Sequence, residues 1–132
     1  MKAEYNCPYC NAYLLLKKYL VLSARHNGDP AMLLFMNPEL GNTQAVYHPN
    51  MQVRLGERYD FYCPVCHETL TSELHENLVM VKMTDEAGKS YELHFSRIAG
   101  QKCTYKIMGN TFEFFGNDAQ HYLDMIGLIN MT

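Results

Sequence analysis

Two identical cysteine motifs constrain this chain more than any other feature. Residues 7–10 and 63–66 both read C-P-x-C, with residues 11–62 between the two motifs. Two residues between cysteines allow one tight turn to direct both sulfurs at a common point, and the proline fixes φ in that turn near −65°. A pair of such turns supplies the four thiolates of a tetrahedral metal centre. The spacing therefore predicts one metal site formed by Cys7, Cys10, Cys63 and Cys66.

This pair of motifs resembles the knuckles of the zinc ribbon and rubredoxin group, in which two hairpin tips close on one metal ion. In those families a glycine commonly follows the second cysteine, because the chain turns there with positive φ. Asn11 and His67 occupy the corresponding positions here. Both residue types are enriched among non-glycine residues with positive φ, so we expect the same turn after both motifs.

The same motif also occurs in redox-active dithiols, which is the alternative interpretation of the two cysteine pairs. A thioredoxin-like dithiol opens a helix after a strand in a βαβ unit, whereas strand-like or irregular sequence follows both pairs here. Four thiolates suit zinc and iron alike, so Zn²⁺ is predicted as the cofactor with iron as the alternative. A closed four-thiolate centre leaves no position for water or substrate, which is typical of structural zinc.

Composition limits the classes of function. The 132 residues suffice for one domain or two very small ones, and 48% apolar with 19% charged residues is typical of a globular chain. The 11 lysines and arginines against 14 aspartates and glutamates give a formal charge of −3, which argues against nucleic-acid binding. The longest apolar run, 31–36, is far shorter than the roughly 20 residues that cross a bilayer. An odd count of cysteines, mostly in metal-type motifs, favours a reducing compartment, and we expect a cytoplasmic protein without membrane association.

Three hairpins are predicted from strand-like runs that flank turn residues. In the second of them, Tyr91, Leu93 and Phe95 alternate with polar residues, as in a strand with one buried and one solvated face. The third has a two-residue Gly109-Asn110 linker, whose residues tolerate the positive φ of hairpin turns. The predicted strand pairs are 19–26 with 31–36, 77–83 with 89–96, and 103–108 with 111–115.

The spacing of apolar residues changes near the end of the chain, from the alternation of a strand to the period of a helix. Apolar residues recur at helical spacing over 119–129 after a capping pair at 117–118, which predicts one short amphipathic helix. The predicted fold is therefore mainly β, with antiparallel hairpins, a zinc-ribbon-like four-cysteine site and one short C-terminal helix. We expect residues 1–72 to form the zinc-ribbon-like β region with its long insert. Residues 73–132 are expected to form the β-hairpins and the helix, either separately or in one compact domain with the first part.

Further residues carry chemistry that the predicted metal site does not require. His67 directly follows a predicted ligand and is a candidate to hydrogen-bond a sulfur or to replace a cysteine, although a surface turn explains it as well. His94 and Glu92 share the polar face of one strand, where they are interpreted as an acid–base pair or as solvated residues. Cys103 is expected to be a small buried thiol, the alternatives being a nucleophile or a fifth ligand.

Recognised catalytic motifs are absent from the sequence, so the chain is predicted not to be an enzyme. We expect a structural zinc that stabilises a β scaffold for a protein partner or for self-association, and no small-molecule substrate is inferred. Two alternatives stay open, a rubredoxin-like iron electron carrier and a nucleic-acid-binding zinc ribbon. The segment 104–107, with Phe115-Gly116 and Tyr122, resembles the end of small bacterial proteins with paired cysteine motifs, which implies no particular activity.

Overall fold

The structure of the protein is a computed structural model that describes residues 3–26, 30–37, 45–49, 53–109, 111–116 and 118. Over these residues the chain forms ten β-strands and no helix. The strands are β1 (Glu4–Asn6), β2 (Leu15–Leu16), β3 (Tyr19–Arg25), β4 (Met32–Met36), β5 (Ala45–Val46), β6 (Asp60–Tyr62), β7 (Leu78–Thr84), β8 (Ser90–Ser96), β9 (Thr104–Met108) and β10 (Thr111–Phe115).

The first sheet contains β2, β3, β4 and β5 in that order, with β6 also paired to β3. All its pairings are antiparallel, and the longest joins β3 to β4, from Leu20↔Met36 to Ala24↔Met32. Alternate residues of β3 are buried, as expected for an antiparallel strand with one face on the core. Leu20, Leu22 and Ala24 therefore mark the inner face of this sheet.

The second sheet has the order β1-β7-β8-β9-β10, again with antiparallel neighbours throughout. Its first strand comes from the start of the chain, where Tyr5 pairs with Met83 of β7. A strand from the predicted region 1–72 thus belongs to the same sheet as the strands of the region 73–132. The division into these two regions stays a prediction, but hydrogen bonds join them directly.

The three predicted hairpins are confirmed, since β3 pairs with β4, β7 with β8 and β9 with β10. The turn between β7 and β8 has Gly88 at φ 84°. In the same turn the carboxylate of Asp85 accepts hydrogen bonds from the amides of Ala87 and Lys89, each at 2.9 Å. Gly109, in the turn after β9, has φ 57°. Positive φ at these glycines is what tight hairpin turns require.

One apolar core lies between the two sheets and contains residues from both. The rings of Phe61 in β6 and Phe95 in β8 meet edge to face with centroids 5.8 Å apart, which joins the inner faces of the sheets. A smaller cluster around Cys103 and Tyr105 lies on the opposite face of the second sheet. The second sheet is therefore buried on both faces near the end of β8, where residues 93–96 are all buried.

The predicted fold class needs a correction. The described residues form strands, turns and isolated bridges without a helix, so over them the fold is β throughout rather than β with a short C-terminal helix. The segment 119–129, on which that helix was predicted, lies outside the described residues. Helical periodicity is an insufficient basis for a short helix, because such a helix depends on packing contacts that a local pattern does not contain. The described part of the chain has no helix with the length and apolarity to cross a membrane.

Candidate metal centre

Each cysteine motif forms a tight turn at the tip of a short hairpin. The amide of Asn11 donates to the carbonyl of Cys7 at 3.0 Å, and the amide of His67 donates to the carbonyl of Cys63 at 2.9 Å. Asn11 and His67 have φ of 63° and 67°. The expected left-handed residue after each motif is therefore confirmed, with asparagine and histidine in the place where a zinc ribbon commonly has glycine.

The similarity of the two hairpins, residues 4–14 and 60–70, extends beyond the cysteines. In each, an acidic residue, an aromatic residue and a leucine keep the same positions relative to the motif. The C-P-x-C motif by itself shows only that the two turns are alike. The shared flanking residues are the sequence signal that the repeat extends over the whole hairpin. In each hairpin the leucine amide donates to the carbonyl of the aromatic residue, Leu14 to Tyr5 at 2.8 Å and Leu70 to Phe61 at 2.9 Å.

Both hairpins connect the two sheets. The first hairpin follows β1, which pairs with β7 of the second sheet. Beyond its tip, the carbonyl of Leu14 accepts a hydrogen bond from the amide of Val21 in β3, which belongs to the first sheet. The second hairpin follows β6, which pairs with β3 of the first sheet. Beyond its tip, the carbonyl of Leu70 accepts a hydrogen bond from the amide of Met80 in β7, which belongs to the second sheet. The motifs thus lie where the sheets meet, and the two hairpins cross between the sheets in opposite directions.

The structure brings the four cysteine sulfurs together. Cys7 Sγ lies 3.7 Å from Cys66 Sγ, Cys10 Sγ lies 3.7 Å from Cys63 Sγ, and all four lie within 4.8 Å of one another. A tetrahedral ion bound about 2.3 Å from each sulfur sets sulfur–sulfur distances of about 3.8 Å. A disulfide bond is much shorter, about 2.05 Å. The four cysteines are therefore free thiols with the spacing that a tetrahedral metal ion requires.

Backbone amides point at the sulfur of the first cysteine in each motif. Cys7 Sγ accepts hydrogen bonds from the amides two and three residues later, at 3.3 and 3.5 Å. Cys63 Sγ does the same at 3.3 and 3.4 Å. Both residues are fully buried, so these N–H groups supply the polar contacts that a buried thiolate needs.

Burial and crowding control the protonation of the cluster. Burial raises the pKa of the Cys7 thiol. At Cys66 a backbone hydrogen bond from Glu68 acts to lower the pKa, but burial and the neighbouring sulfurs outweigh it and raise the pKa to about 12. At Cys63 burial acts to raise the pKa, but the two amide N–H groups and the neighbouring thiols outweigh it and bring the pKa below its ordinary value. Because four thiolates repel one another without a cation, metal binding displaces protons from the cluster.

His67 and Cys103 lie outside the cluster. His67 is exposed, and the group of potential ligands within 4.8 Å consists of the four cysteines without it. Its contribution is the left-handed turn and the amide that close the second hairpin tip. Cys103 is buried beside Leu78 and Tyr105, and burial raises the pKa of its thiol to about 11. It is a buried apolar thiol, as its position on the strand predicts.

His94 and Glu92 contact each other in a hydrogen-bond chain that runs from the buried His94 to the exposed Glu92. His94 is 2% exposed, so the expectation of a solvated polar face is wrong at this position. Its Nε2 lies 3.0 Å from Glu92 Oε1, and its Nδ1 lies 2.8 Å from Ser72 Oγ, which also accepts from the amide of Leu74 at 3.0 Å. Alternation along a strand assigns residues to two faces but does not show what covers the polar one. Ser72 lies in a loop that no sequence motif marks.

These contacts fit a neutral imidazole at His94. A proton on Nε2 is donated to the Glu92 carboxylate, and Nδ1 then accepts from the hydroxyl of Ser72. A second proton, on Nδ1, would remove the acceptor of that hydroxyl. Burial lowers the pKa of His94, and the pairing with Glu92 opposes this shift only in part. The chain of contacts fastens the loop containing Ser72 to β8.

Stability is therefore expected to fall as the pH falls below about 6.5. The unfolded histidine takes up a proton near pH 6.5, whereas the folded one takes it up at lower pH, so the unfolded state binds more protons in that interval. Urea denaturation between pH 7.5 and 5.5 should give a pH slope that His94→Gln flattens. His48→Gln, at an exposed histidine, is the control and should keep the wild-type slope. An unchanged slope in His94→Gln would contradict this account, since any metal release at low pH is common to all three proteins.

No protein-family model, curated protein or solved structure matches the chain. The class of protein is therefore defined by the fold and the site. Over the residues that the structure describes, the chain is a small β protein of two antiparallel sheets, with a four-cysteine cluster that could hold a metal ion where the sheets meet. This arrangement is compatible with a zinc-ribbon-like site.

Proposed function

We propose that the four-cysteine cluster binds one Zn²⁺ as a structural ion and fastens the two sheets together. The observation that carries this proposal is the path of the two hairpins, each of which runs from one sheet to the other with its cysteine motif at the tip. An ion held by both tips crosslinks β1 and β6, which belong to different sheets. All four ligands are protein thiolates, which leaves no open position for a substrate and supports a structural role.

The strands that carry the motifs explain why an ion is needed. β1 and β6 have 3 residues each, and the hairpins that they begin are short. Short two-stranded hairpins are marginally stable in water by themselves. A metal bound at both tips also restricts the unfolded chain between the motifs, as a disulfide across a long loop does. The free energy of metal binding thus becomes folding free energy.

Elemental analysis of the untagged protein, with an absorption spectrum of the same sample, tests the proposed ion. We expect one zinc per chain and no visible absorption. One iron per chain with strong charge-transfer bands would contradict zinc and support the rubredoxin-like electron carrier. A sample without metal, in which the four thiols oxidise to disulfides reversibly, would contradict both and support redox dithiols.

We further propose that the scaffold makes protein–protein contacts through the outer face of the first sheet. Leu16, Leu33 and Val46 lie on this face, and their exposed fractions are 59%, 51% and 58%. Val21 and Phe35 pair with each other in the centre of the same face, and both are half-buried. An exposed apolar patch that continues over neighbouring strands is typical of an interaction surface.

Self-association is the form of this contact that the purified protein can test. Sedimentation of the metal-loaded protein should show a dimer. Leu33→Lys, which places a charge in the centre of the outer face, should return the protein to a monomer without changing its metal content. A wild-type protein that stays monomeric at concentrations near 100 µM, about the range in which weak dimers form, would contradict self-association.

A further inference from the structure

The similarity between the two cysteine hairpins continues into the strands that follow them. The first hairpin leads to β3, β4 and β5, and the second leads to β7, β8 and β9, which pair with one another in the same order. We call residues 4–46 the first unit and residues 60–105, which end in β9, the second unit. β2 has its counterpart in the bridge between Thr71 and Val79, so of the described strands only β10 has none.

The strands of the two units also pair in the same register. Every pair of facing residues that joins β4 to β3 or to β5 has an equivalent pair that joins β8 to β7 or to β9. The equivalent segments 37–44 and 96–103 have the same length and a glycine at the same place. Register depends on the apolar pattern and on the turns, so two unrelated hairpins are not expected to share it over three strands. Examples of equivalent pairs are Leu20↔Met36 with Val79↔Phe95, Ala24↔Met32 with Met83↔Tyr91, and Phe35↔Val46 with His94↔Tyr105.

The two units exchange their first strands. β1 of the first unit pairs with β7 of the second, and β6 of the second unit pairs with β3 of the first. The registers are again equivalent, since Tyr5 pairs with Met83 and Phe61 pairs with Ala24. Exchanging the units therefore leaves the pattern of strand pairing unchanged, which is the property of a two-fold axis at the interface of a symmetric dimer.

The cysteine cluster lies on this axis. Exchange of the units replaces Cys7 with Cys63 and Cys10 with Cys66, so it converts the contact between Cys7 and Cys66 into the contact between Cys63 and Cys10. Both contacts are 3.7 Å between the Sγ atoms. Each unit thus contributes one buried and one less buried sulfur in equivalent positions, which is half of the ligand set of a tetrahedral ion.

We propose that the chain is an internally duplicated, fused dimer, in which the two units associate as the subunits of a two-fold homodimer do and the metal ion joins them at the axis. The inference rests on the structural ion proposed above and names the partners that share it, since each unit completes the site of the other. A unit therefore binds the opposite unit whether that unit belongs to the same chain or to a second copy of the chain.

The contacts of the connecting segment support this independence. β5 pairs with β4 of the first unit, whereas the amide of Gly56 donates to the carbonyl of Ala99 in the second unit at 2.9 Å. Residues 47–55 thus connect the units. The pairs β1–β7 and β6–β3 and the cysteine cluster, which hold the units together, include none of these residues. A link of this kind raises the effective concentration of one unit near the other without changing their contacts.

Two full-length variants with complementary defects test the proposal. The first-unit chain, Cys63→Ser/Cys66→Ser, retains the cluster cysteines of the first unit alone, and the second-unit chain, Cys7→Ser/Cys10→Ser, retains those of the second. Both also carry Leu33→Lys, so that the outer face of the first sheet does not join them. Co-expressed with different affinity tags and purified over both tags, they should contain one zinc per two chains, whereas either chain expressed alone should contain none.

A buried substitution shows which units form the shared site. Ala24 is fully buried and pairs with Phe61 where the second unit contacts the first. Ala24→Asp in the first-unit chain should remove the zinc of the purified pair, because that chain supplies the first unit of the site. The same substitution in the second-unit chain is the matched control and should leave the zinc content unchanged, because the first unit of that chain contributes no ligand.

The wild-type chain, measured in parallel, separates this proposal from the structural ion. Zinc in the wild type, with variants that do not co-purify or a purified pair without zinc, would overturn the fused dimer and leave the structural ion intact. Equal effects of Ala24→Asp in the two chains would also overturn the fused dimer, since one unit from each chain would then not form the site. A wild type without metal would contradict the structural ion itself, and this proposal with it.

Discussion

Replacing Cys63 with serine is expected to remove the bound metal and the cooperative unfolding transition together. Cys63 is fully buried, and backbone amides fix its sulfur at the tip of the second hairpin. Serine supplies no thiolate, so the three remaining cysteines cannot close a tetrahedral site. Structural zinc contributes on the order of 10 kcal/mol, and a domain of this size has a net stability of only about 5–15 kcal/mol. If the cluster holds the proposed ion, its loss is therefore expected to unfold the chain.

Cys103→Ser is the matched control, because Cys103 is equally buried but lies outside the cluster. It is expected to retain one metal ion per chain and to unfold cooperatively at a somewhat lower temperature, since a buried hydroxyl costs about 1–3 kcal/mol. Thermal melting followed by circular dichroism, with elemental analysis of both variants, provides the measurement. If Cys63→Ser melted at the wild-type temperature without metal, the cluster would be dispensable for the fold and its structural role would be wrong.

The cysteine cluster can be predicted from the sequence because its determinants are local. Each C-P-x-C turn directs two sulfurs by itself, and Asn11 and His67 supply the positive φ that closes the turn. The two turns must then come together to form one site. Since the sequence contains only two C-P-x-C motifs, each turn has only one possible partner. The hairpins β3–β4, β7–β8 and β9–β10 are predictable for the same reason, since each joins neighbouring segments through a marked turn.

The order of the sheets and the environment of His94 depend instead on distant residues. β1 pairs with β7 across most of the chain, and such pairing is decided by the packing of the whole core. His94 is placed on a polar strand face by alternation, but the loop with Ser72 covers that face. The helix predicted over 119–129 has the same weakness, because a helical period does not contain the packing contacts on which a short helix depends.

A cavity of about 610 Å³ beside the first sheet has no signature in the sequence either. Its lining combines β4, the approach to the second motif and the segment after β8, and its volume is the space that remains when these side chains pack. Composition shows that methionine and aromatic residues are abundant, but not where they leave space. The unpartnered Nε of Arg97 likewise becomes visible only when its surroundings are known. The internal space of the protein therefore follows only from the folded structure, whereas the candidate metal ligands follow from the sequence.

Gly116→Ala is expected to destabilise the second sheet far more than an ordinary glycine replacement. Gly116 follows β10 and has φ of 99°, where alanine is strained. A Cβ added there would lie 2.2 Å from the carbonyl oxygen of Lys102. That carbonyl accepts a hydrogen bond from the amide of Asp118, and the amide of Lys102 donates to the Asp118 carboxylate, so the backbone at Lys102 is held from both sides.

Gly88→Ala separates strain from steric overlap. Gly88 has φ of 84° and open space at its Cβ position, so alanine there carries the conformational cost alone, about 1–2 kcal/mol. At Gly116 the overlap adds to that cost, and we expect a total loss of about 3 kcal/mol or more in the free energy of unfolding, measured by urea denaturation. Equal losses in the two variants would mean that the backbone at Lys102 moves aside freely. A larger loss at Gly116 would show that close contact with the backbone of Lys102 holds the end of the second sheet.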